Sequence, residues 1–225
     1  SLFRTLDDLL ASYKDNLANY QSLKATMLSK MFPKAGKTVP EIRLDGFEGE
    51  WEAKILSRVT NITMGQSPKS ENYTDNPNDY ILVQGNADIK NKQVVPRLWT
   101  TEVTKMAEIG DIILTVRAPV GDIGKTDYNV VIGRGVAAIK GNDFIFYTLE
   151  KMKMTGFWNR FSTGSTFESI SSNDIKEAII QIPTLKEQQA IGTYFSNLDN
   201  LIAAHQEKIS QLETLKKKLL QDMFI

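Results

Sequence analysis

Apolar residues near both ends of the chain recur at intervals of three and four positions, with polar residues between them. This spacing is typical of an amphipathic helix that buries one narrow stripe. Neither terminal segment contains an internal proline or glycine, and Pro33 ends the first segment. We therefore predict two long helices, each packing lengthwise against another helix. The residues expected at the contact are Leu6, Leu10, Tyr13, Leu17, Tyr20, Met27, Leu198, Ile202, His205, Ile209, Leu212 and Leu219.

The two terminal segments are copies of one another. A shift of 192 positions places residues 3–32 on residues 195–224 without a gap, and ten of the thirty positions are identical. Such regular internal similarity indicates duplication. His205 occupies the stripe position that Tyr13 occupies in the first copy. We therefore interpret His205 as a packing residue and not as a catalytic base.

The first helix enters the central block and the second leaves it, so the two must run antiparallel if they lie side by side. At 1.5 Å per residue, each rod would be about 45 Å long. We expect the pair to protrude as a two-helix coiled coil. The same stripe would also suit a helix that covers the globular body, and periodicity alone leaves both arrangements open.

The central block alternates short β-branched runs with turns and a few helical stretches. Strands are predicted at residues 80–85, 93–99, 111–117, 128–133 and 135–141, which are bounded mostly by Gly, Asn or Asp. Helices are predicted within residues 143–161, 174–180 and 186–197. Since strands and helices do not alternate regularly, the expected fold class is α+β, with a mixed α/β central domain.

Composition and charge narrow the functional classes. The 225 residues carry 27 basic and 27 acidic side chains, so DNA binding would need local patches or charge from a partner. Cysteine is absent, which excludes disulfides and thiolate zinc sites and fits a reducing cytoplasm. The single histidine excludes a His-rich metal cluster. We expect no metal site, no membrane segment and a cytoplasmic location.

Two stretches come close to catalytic motifs. Residues 118–126 end in Gly124-Lys125-Thr126, as a phosphate-binding loop does, but the required earlier glycine is replaced by Pro119, which has no N–H. We interpret this stretch as tight turns between strands. Residues 76–80 resemble the Asn-Pro-Pro-Tyr loop of adenine methyltransferases, with an extra residue and without its second proline. We therefore expect a binding protein and not an enzyme, although an unrecognised hydrolase stays open.

Polar residues on loops over a sheet are the candidates for binding. Amide and guanidinium groups suit base edges, whereas hydroxyl and ammonium groups suit phosphates. The candidates are Gln66, Ser67, Lys69, Ser70, Tyr73, Gln84, Asn86, Lys90, Arg117, Arg134, Arg160, Thr163, Ser165 and Thr166.

The order of these features resembles the specificity subunit of type I restriction–modification systems. The resemblance covers essentially the whole chain. The resemblance rests on the two terminal helices and on six stretches in this order: PEIRLDGFEGEWE, MGQSPKSENY, VQGNADI, GDIILTVRAPVG, TGSTFESISSNDI and IPTLKEQQAIGTYFSNLD. It implies a first spacer helix at residues 1–32, a DNA-binding target recognition domain at 33–190 and a second spacer helix at 191–225.

The resemblance also implies function and partners. Such a subunit reads double-stranded DNA, has no catalysis of its own and docks a DNA adenine methyltransferase subunit, through which a restriction and translocase subunit is recruited. S-adenosylmethionine, ATP and Mg²⁺ would belong to those partners, so no cofactor is expected in this chain. The family has two recognition domains and this sequence has one, which suggests a half-subunit that reads half of a bipartite site and dimerises.

Rods of about 45 Å exceed one DNA turn of about 34–36 Å and could hold two reading heads about a turn apart. The alternative is a coiled-coil interaction scaffold without DNA specificity. The target bases cannot be predicted from the sequence.

Overall fold

The computed structural model describes residues 2–161 and 169–222. The chain divides into two compact units, one made of residues 1–48 with residues 190–225 and the other of residues 49–189. Residues 33–48 thus cluster with the terminal segments. Compactness does not show which residues bind DNA, so the functional boundaries at 1–32, 33–190 and 191–225 stay a prediction.

The described residues form four α-helices, which are α1 (Leu2–Lys30), α2 (Asp143–Met154), α3 (Ser172–Lys176) and α4 (Leu185–Asp222). They also form 13 short strands. These are β1 (Glu52–Ile55), β2 (Ile62–Met64), β3 (Tyr73–Thr74), β4 (Tyr80–Val83), β5 (Ile89–Lys90), β6 (Gln93–Val94), β7 (Trp99–Thr100), β8 (Met106–Ala107), β9 (Ile112–Thr115), β10 (Ile123–Lys125), β11 (Val130–Ile132), β12 (Val136–Ile139) and β13 (Ile179–Ile182). The mixture confirms the predicted α+β class.

In the first unit, α1 and α4 pack together as an antiparallel pair, as predicted. Their buried contact is a cluster of Leu6, Leu10, Ile209 and Leu212, with Tyr13, Leu17 and Leu219 packed against it. The His205 ring centroid lies 5.4 Å from that of Tyr13 and 5.0 Å from that of Tyr20. Its Nδ1 lies 2.8 Å from the carbonyl oxygen of Leu201, one helical turn earlier. All twelve residues predicted at the contact are buried or half-buried.

Two ion pairs between the helices reflect the sequence repeat. The Lys24 ammonium lies 2.6 Å from the Asp199 carboxylate, and the Lys216 ammonium lies 2.5 Å from the Asp7 carboxylate. Lys216 is the repeat equivalent of Lys24, and Asp199 is the equivalent of Asp7. The pair of helices is therefore related by an approximate two-fold axis. The equivalence does not extend to burial, because the Lys24 side chain is 7% exposed and that of Lys216 is 35% exposed.

The second unit contains three β-sheets. The six-stranded sheet has the order β2-β12-β9-β10-β6-β5, the five-stranded sheet has the order β3-β7-β4-β11-β8, and β1 pairs with β13. Parallel pairing of β10 with β6 and of β11 with β4 makes both larger sheets mixed. Each of these two sheets contributes four residues to one buried cluster, consisting of Val83, Val94, Ala107, Ile113, Val130, Ile132, Val136 and Ala138. Burying each larger aliphatic side chain contributes about 1.5–3 kcal/mol.

Several predicted elements have different limits. The predicted strand at 93–99 is two strands in different sheets, because Pro96 lacks the N–H that a continuous ladder needs. The predicted helix at 143–161 ends at Met154, and a short 3₁₀-helix follows at 157–161 after Gly156, whose φ is 68°. The predicted helix at 174–180 was wrong in its second half, where Ile179 and Ile180 begin β13. Residues 186–197 are helical within α4.

Candidate nucleic-acid interface

A crossing between the two large sheets forms the floor of the candidate site. Strand β11 ends in the five-stranded sheet at Ile132 and β12 begins in the six-stranded sheet at Val136. The link is Gly133-Arg134-Gly135. The N–H of Gly133 donates to the Val83 carbonyl at 2.8 Å, and the carbonyl of Gly135 accepts from the N–H of Val116 at 2.9 Å. The link therefore joins the ends of β4 and β9 as well as β11 and β12.

Glycine is required at this crossing because backbones approach each other closely. A Cβ on Gly135 would lie 1.9 Å from the carbonyl oxygen of Gln84, and a Cβ on Gly65 would lie 2.0 Å from the carbonyl oxygen of Gly133. Real Cβ atoms do not come this close to backbone oxygens. The strand ends can therefore converge only where side chains are missing, and the surrounding polar residues are drawn into one place.

A cleft of about 460 Å³ opens above this crossing. Its lining comes from loops that are far apart in the sequence, and seven of the lining residues are among the predicted binding residues. Those seven are Ser67, Ser70, Tyr73, Gln84, Asn86, Arg117 and Arg134. The remaining lining residues are Pro68, Gly85, Ala118 and Gly135. The sequence does not predict these four, because none of them has a polar side chain.

Gln84 lies at the centre of a hydrogen-bond network in the cleft. Its Oε1 accepts from the hydroxyls of Ser67 and Tyr73, both at 3.5 Å, which is longer than the roughly 2.5–3.0 Å usual for bonds between two oxygens. The Ser67 hydroxyl in turn accepts from the backbone N–H of Arg134 at 3.1 Å. A Cβ on Gly133 would lie 3.1 Å from Cγ of Gln84, so the side chain of Gln84 rests against bare backbone.

Two guanidinium groups give the cleft its positive charge. Arg117 and Arg134 are exposed, and their guanidinium groups form no hydrogen bond or ion pair with any residue in 2–161 or 169–222. Asn86 donates from Nδ2 to the carboxylate of Asp122 at 2.5 Å. That carboxylate also forms an ion pair with the Lys153 ammonium, so its negative charge is balanced. The cleft therefore suits an anionic or acceptor-rich ligand.

The loop that carries Ser67, Ser70 and Tyr73 is tethered by one carboxylate. Glu102 accepts from the backbone N–H of Lys69 at 2.8 Å and from Nδ2 of Asn72 at 2.7 Å. The Lys69 N–H and then the Asn72 amide hold the pKa of Glu102 below its ordinary value. The tether fixes one wall of the cleft relative to β7 and the segment that follows it.

The remaining predicted residues do not line the cleft. Gln66, Lys69 and Lys90 are exposed outside it, and the Arg160 guanidinium stacks on Phe157, with its carbon 3.7 Å from the ring centroid. Thr163, Ser165 and Thr166 lie outside the described residues. A DNA contact by any of the fourteen candidates stays a prediction, whether or not the residue lines the cleft.

The broken phosphate-loop motif is part of a β-hairpin. Gly124 and Lys125 belong to β10, which pairs antiparallel with β9, and the Lys125 ammonium forms an ion pair with Asp143. Gly121 makes the turn with a φ of 86°. The interpretation of this stretch as turns between strands is confirmed for residues 118–121, whereas residues 123–125 belong to a strand.

The described ranges 2–161 and 169–222 contain no group of three or more acidic or histidine side chains that could hold a metal ion. No helix in this part of the chain has the length and apolar character needed to cross a bilayer.

Comparison with known proteins places this architecture in a class. Residues 48–214 match the model of the family described as the type I restriction modification DNA specificity domain. Since the match covers well over half of the chain, the protein belongs to this family. The resemblance predicted from the motifs is thereby confirmed.

Individual relatives agree with this assignment. The chain is 30% identical over 225 residues to the "Putative type I restriction enzyme MjaX specificity subunit" of Methanocaldococcus jannaschii, and the match covers 95% of this chain and 52% of that protein. It superimposes on the HsdS subunit from Thermoanaerobacter tengcongensis with a TM-score of 0.71 and 26% identity, covering 98% of this chain and 54% of that one.

A second solved chain comes from work on complex assembly and conformational transition of the type I R-M system. It matches with a TM-score of 0.73 and 28% identity, over 99% of this chain and 56% of that one. The chain thus spans about half the length of the relatives it matches.

Proposed function

We propose that this protein confers DNA sequence specificity on a type I restriction–modification complex and that its cleft reads one half of a bipartite site. The observation that carries the proposal is the cleft itself, where two guanidinium groups without partners among the described residues stand beside a positioned glutamine. Arginine and glutamine are the side chains that pair with two atoms of a purine edge in the major groove. Family membership supports the same role.

Base reading by Arg117 and Arg134 is tested by alanine substitution. The experiment is co-expression with the partner adenine methyltransferase, followed by mapping of methylated adenines. Loss of one bidentate contact should relax one position of the recognised sequence, at about 1–3 kcal/mol. Arg58→Ala is the matched control, because Arg58 is an exposed arginine that does not line the cleft. An unchanged methylation pattern in both cleft variants would exclude base reading by these residues.

The balanced net charge supports a role for the methyltransferase in binding the DNA phosphates. With 27 basic and 27 acidic side chains, the chain alone has little general attraction for phosphates. We expect weak DNA binding by the isolated protein and much tighter binding by the complex, measured by fluorescence anisotropy across a salt series. Tight binding by the isolated chain that hardly depends on salt would contradict this.

Exposed leucines on the helix pair support a docking surface for the methyltransferase. Leu9 and Leu201 are 42% and 44% exposed and are repeat equivalents, as are Leu23 and Leu215 at 39% and 47%. Packing between α1 and α4 does not require apolar residues at these exposed positions. Leu23→Lys and Leu215→Lys should therefore reduce co-purification of the methyltransferase while leaving helix content unchanged. The restriction and translocase subunit would be recruited through the methyltransferase.

A second target recognition domain would come from a second copy of the chain. The approximate two-fold symmetry of the helix pair supports association through the helices, and identical heads would read an interrupted palindrome. Sedimentation equilibrium of the protein, alone and with methyltransferase, measures the assembly state. A strict monomer at tens of micromolar under both conditions would exclude the homodimer.

The chain would perform no reaction itself. S-adenosylmethionine, ATP and Mg²⁺ would be bound by the partner subunits, and titration calorimetry of this chain with each should show no binding. A mobility-shift assay with specific and scrambled duplexes separates this role from a scaffold without sequence preference, which the family assignment does not favour.

A further inference from the structure

The network around Gln84 determines which end of its amide faces a ligand. An uncharged amide has one acceptor oxygen with two lone pairs and one NH₂ group with two donors. The Ser67 hydroxyl accepts from the backbone N–H of Arg134, so its own proton is available to Gln84. The Tyr73 hydroxyl lies at the same 3.5 Å distance from the amide oxygen.

The reverse orientation of the amide satisfies fewer groups. If Nε2 faced the two hydroxyls, the Ser67 oxygen would accept two N–H groups, and its own proton would have no acceptor among the partners that the described residues provide. In the orientation with Oε1 inward, each donor has an acceptor and the network is continuous. Connected hydrogen bonds of this kind polarise and strengthen one another.

With both lone pairs of Oε1 engaged, Gln84 presents only its NH₂ group to the cleft. Adenine recognition by glutamine needs an acceptor for the N6 amino group together with a donor for N7. Guanine instead offers two acceptors, N7 and O6, on the same edge. The guanidinium groups of Arg117 and Arg134, which line the same cleft, also carry only hydrogen-bond donors.

We infer that Gln84 is a specificity-determining residue that, held by Ser67 and Tyr73, reads a guanine and rejects an adenine in the half-site. This inference rests on the proposed function. Ser67 and Tyr73 are then positioning residues, because their hydroxyl groups act on the base only by fixing the orientation of the Gln84 amide.

The test is selection from a randomised duplex library by the protein in complex with its methyltransferase, followed by sequencing of bound DNA. We expect the wild-type protein to enrich guanine over adenine by about tenfold or more at one position. In Gln84→Glu, the NH₂ donors are replaced by acceptor oxygens, so the guanine preference at that position should be lost.

The decisive variant combines Ser67→Ala with Tyr73→Phe. It leaves Gln84 in place but frees its oxygen, so the amide can rotate and accept from adenine. Adenine should then be enriched to within about threefold of guanine at the same position and at no other. The matched control is Ser57→Ala with Tyr128→Phe, which also removes one serine and one tyrosine hydroxyl, but outside the cleft. It should keep the wild-type preference.

Base analogues give a second measurement that needs no variant. Replacing the selected guanine by 7-deazaguanine removes the N7 acceptor and should weaken binding by about tenfold. The outcomes separate the two proposals. A wild-type complex that enriches no sequence overturns the proposed function and this inference with it. A clear recognised sequence that contains adenine at the Gln84-dependent position, or that is unchanged in Gln84→Glu and in the Ser67/Tyr73 double variant, overturns this inference alone.

Discussion

The duplicated ion pairs of the helix pair allow one substitution to be compared with its own internal control. Asp199→Asn and Asp7→Asn remove the same charge from equivalent positions of the repeat, and both replacements keep the size of the side chain. The Lys24 partner of Asp199 is 7% exposed, whereas the Lys216 partner of Asp7 is 35% exposed. The two substitutions should therefore differ in cost because their surroundings differ.

The magnitude follows from distance and burial. At 2.6 Å and an effective dielectric constant near 20, the gross attraction between Lys24 and Asp199 is about 6 kcal/mol. The asparagine keeps a hydrogen bond and the Asp199 side chain is already 26% exposed, so we expect a net loss of about 2–3 kcal/mol. For Lys216 and Asp7, water screening and the ordering of two exposed side chains should leave less than about 1 kcal/mol.

Urea denaturation followed by two probes provides the assay. The three tryptophans, Trp51, Trp99 and Trp158, all lie in residues 49–189, so their fluorescence reports on the sheet unit. Circular dichroism at 222 nm is dominated by the long helices. With a slope of about 1–3 kcal/mol per molar urea, Asp199→Asn should lower the dichroism midpoint by about 1–2 M and Asp7→Asn by much less. Equal shifts, or a larger shift for Asp7→Asn, would refute the argument from burial.

Three further predictions concern the sheet unit. Gly135→Ala should destabilise this unit by about 1–3 kcal/mol in tryptophan-monitored denaturation, because the added Cβ would overlap a backbone oxygen. Gly85→Ala is the control and should leave stability unchanged, because no atom lies within 4 Å of a Cβ at that position. The tether by Glu102 should be complete above pH 4.5 and lost as pH falls through its lowered pKa, so the hydrogen-exchange protection of the Lys69 amide should fall there. That protection should be low at every pH in Glu102→Ala, which has no acceptor for the Lys69 N–H. Asn142 caps α2, so Asn142→Ala should cost about 1 kcal/mol in the same denaturation assay, whereas Asn142→Asp should retain the cap.

The helix pair could be predicted because its information is local. A 3–4 spacing sustained over four heptads specifies a helix and its buried face, and the repeat relates the two copies. Burial at the ends of the pair was not predictable, because Lys24 and Lys216 occupy equivalent positions in the repeat. Only the structure shows that one is enclosed and the other is half-exposed.

The sheets were less predictable because strands of two to four residues depend on partners elsewhere in the chain. Residues 93–99 read as one strand, but their two ends join different sheets. The cleft was predictable as a collection of polar loops, since loops at strand ends gather where strands converge. Sequence could not separate Gln84 from Lys90, as both are polar residues near short strands, and only the fold places the first in the cleft.

The close backbone approaches at Gly65 and Gly135 have a consequence for divergence among related proteins. A side chain at either position would overlap a backbone oxygen and disturb the crossing between the two sheets, whereas mutations in the surrounding loops would alter only the residues that line the cleft. New target preferences should therefore arise by exchanging the loops, with the glycine framework left intact. A library that randomises residues 66–73 and 84–86 while keeping these glycines should yield folded variants more often than one that spares the loops and randomises the glycines.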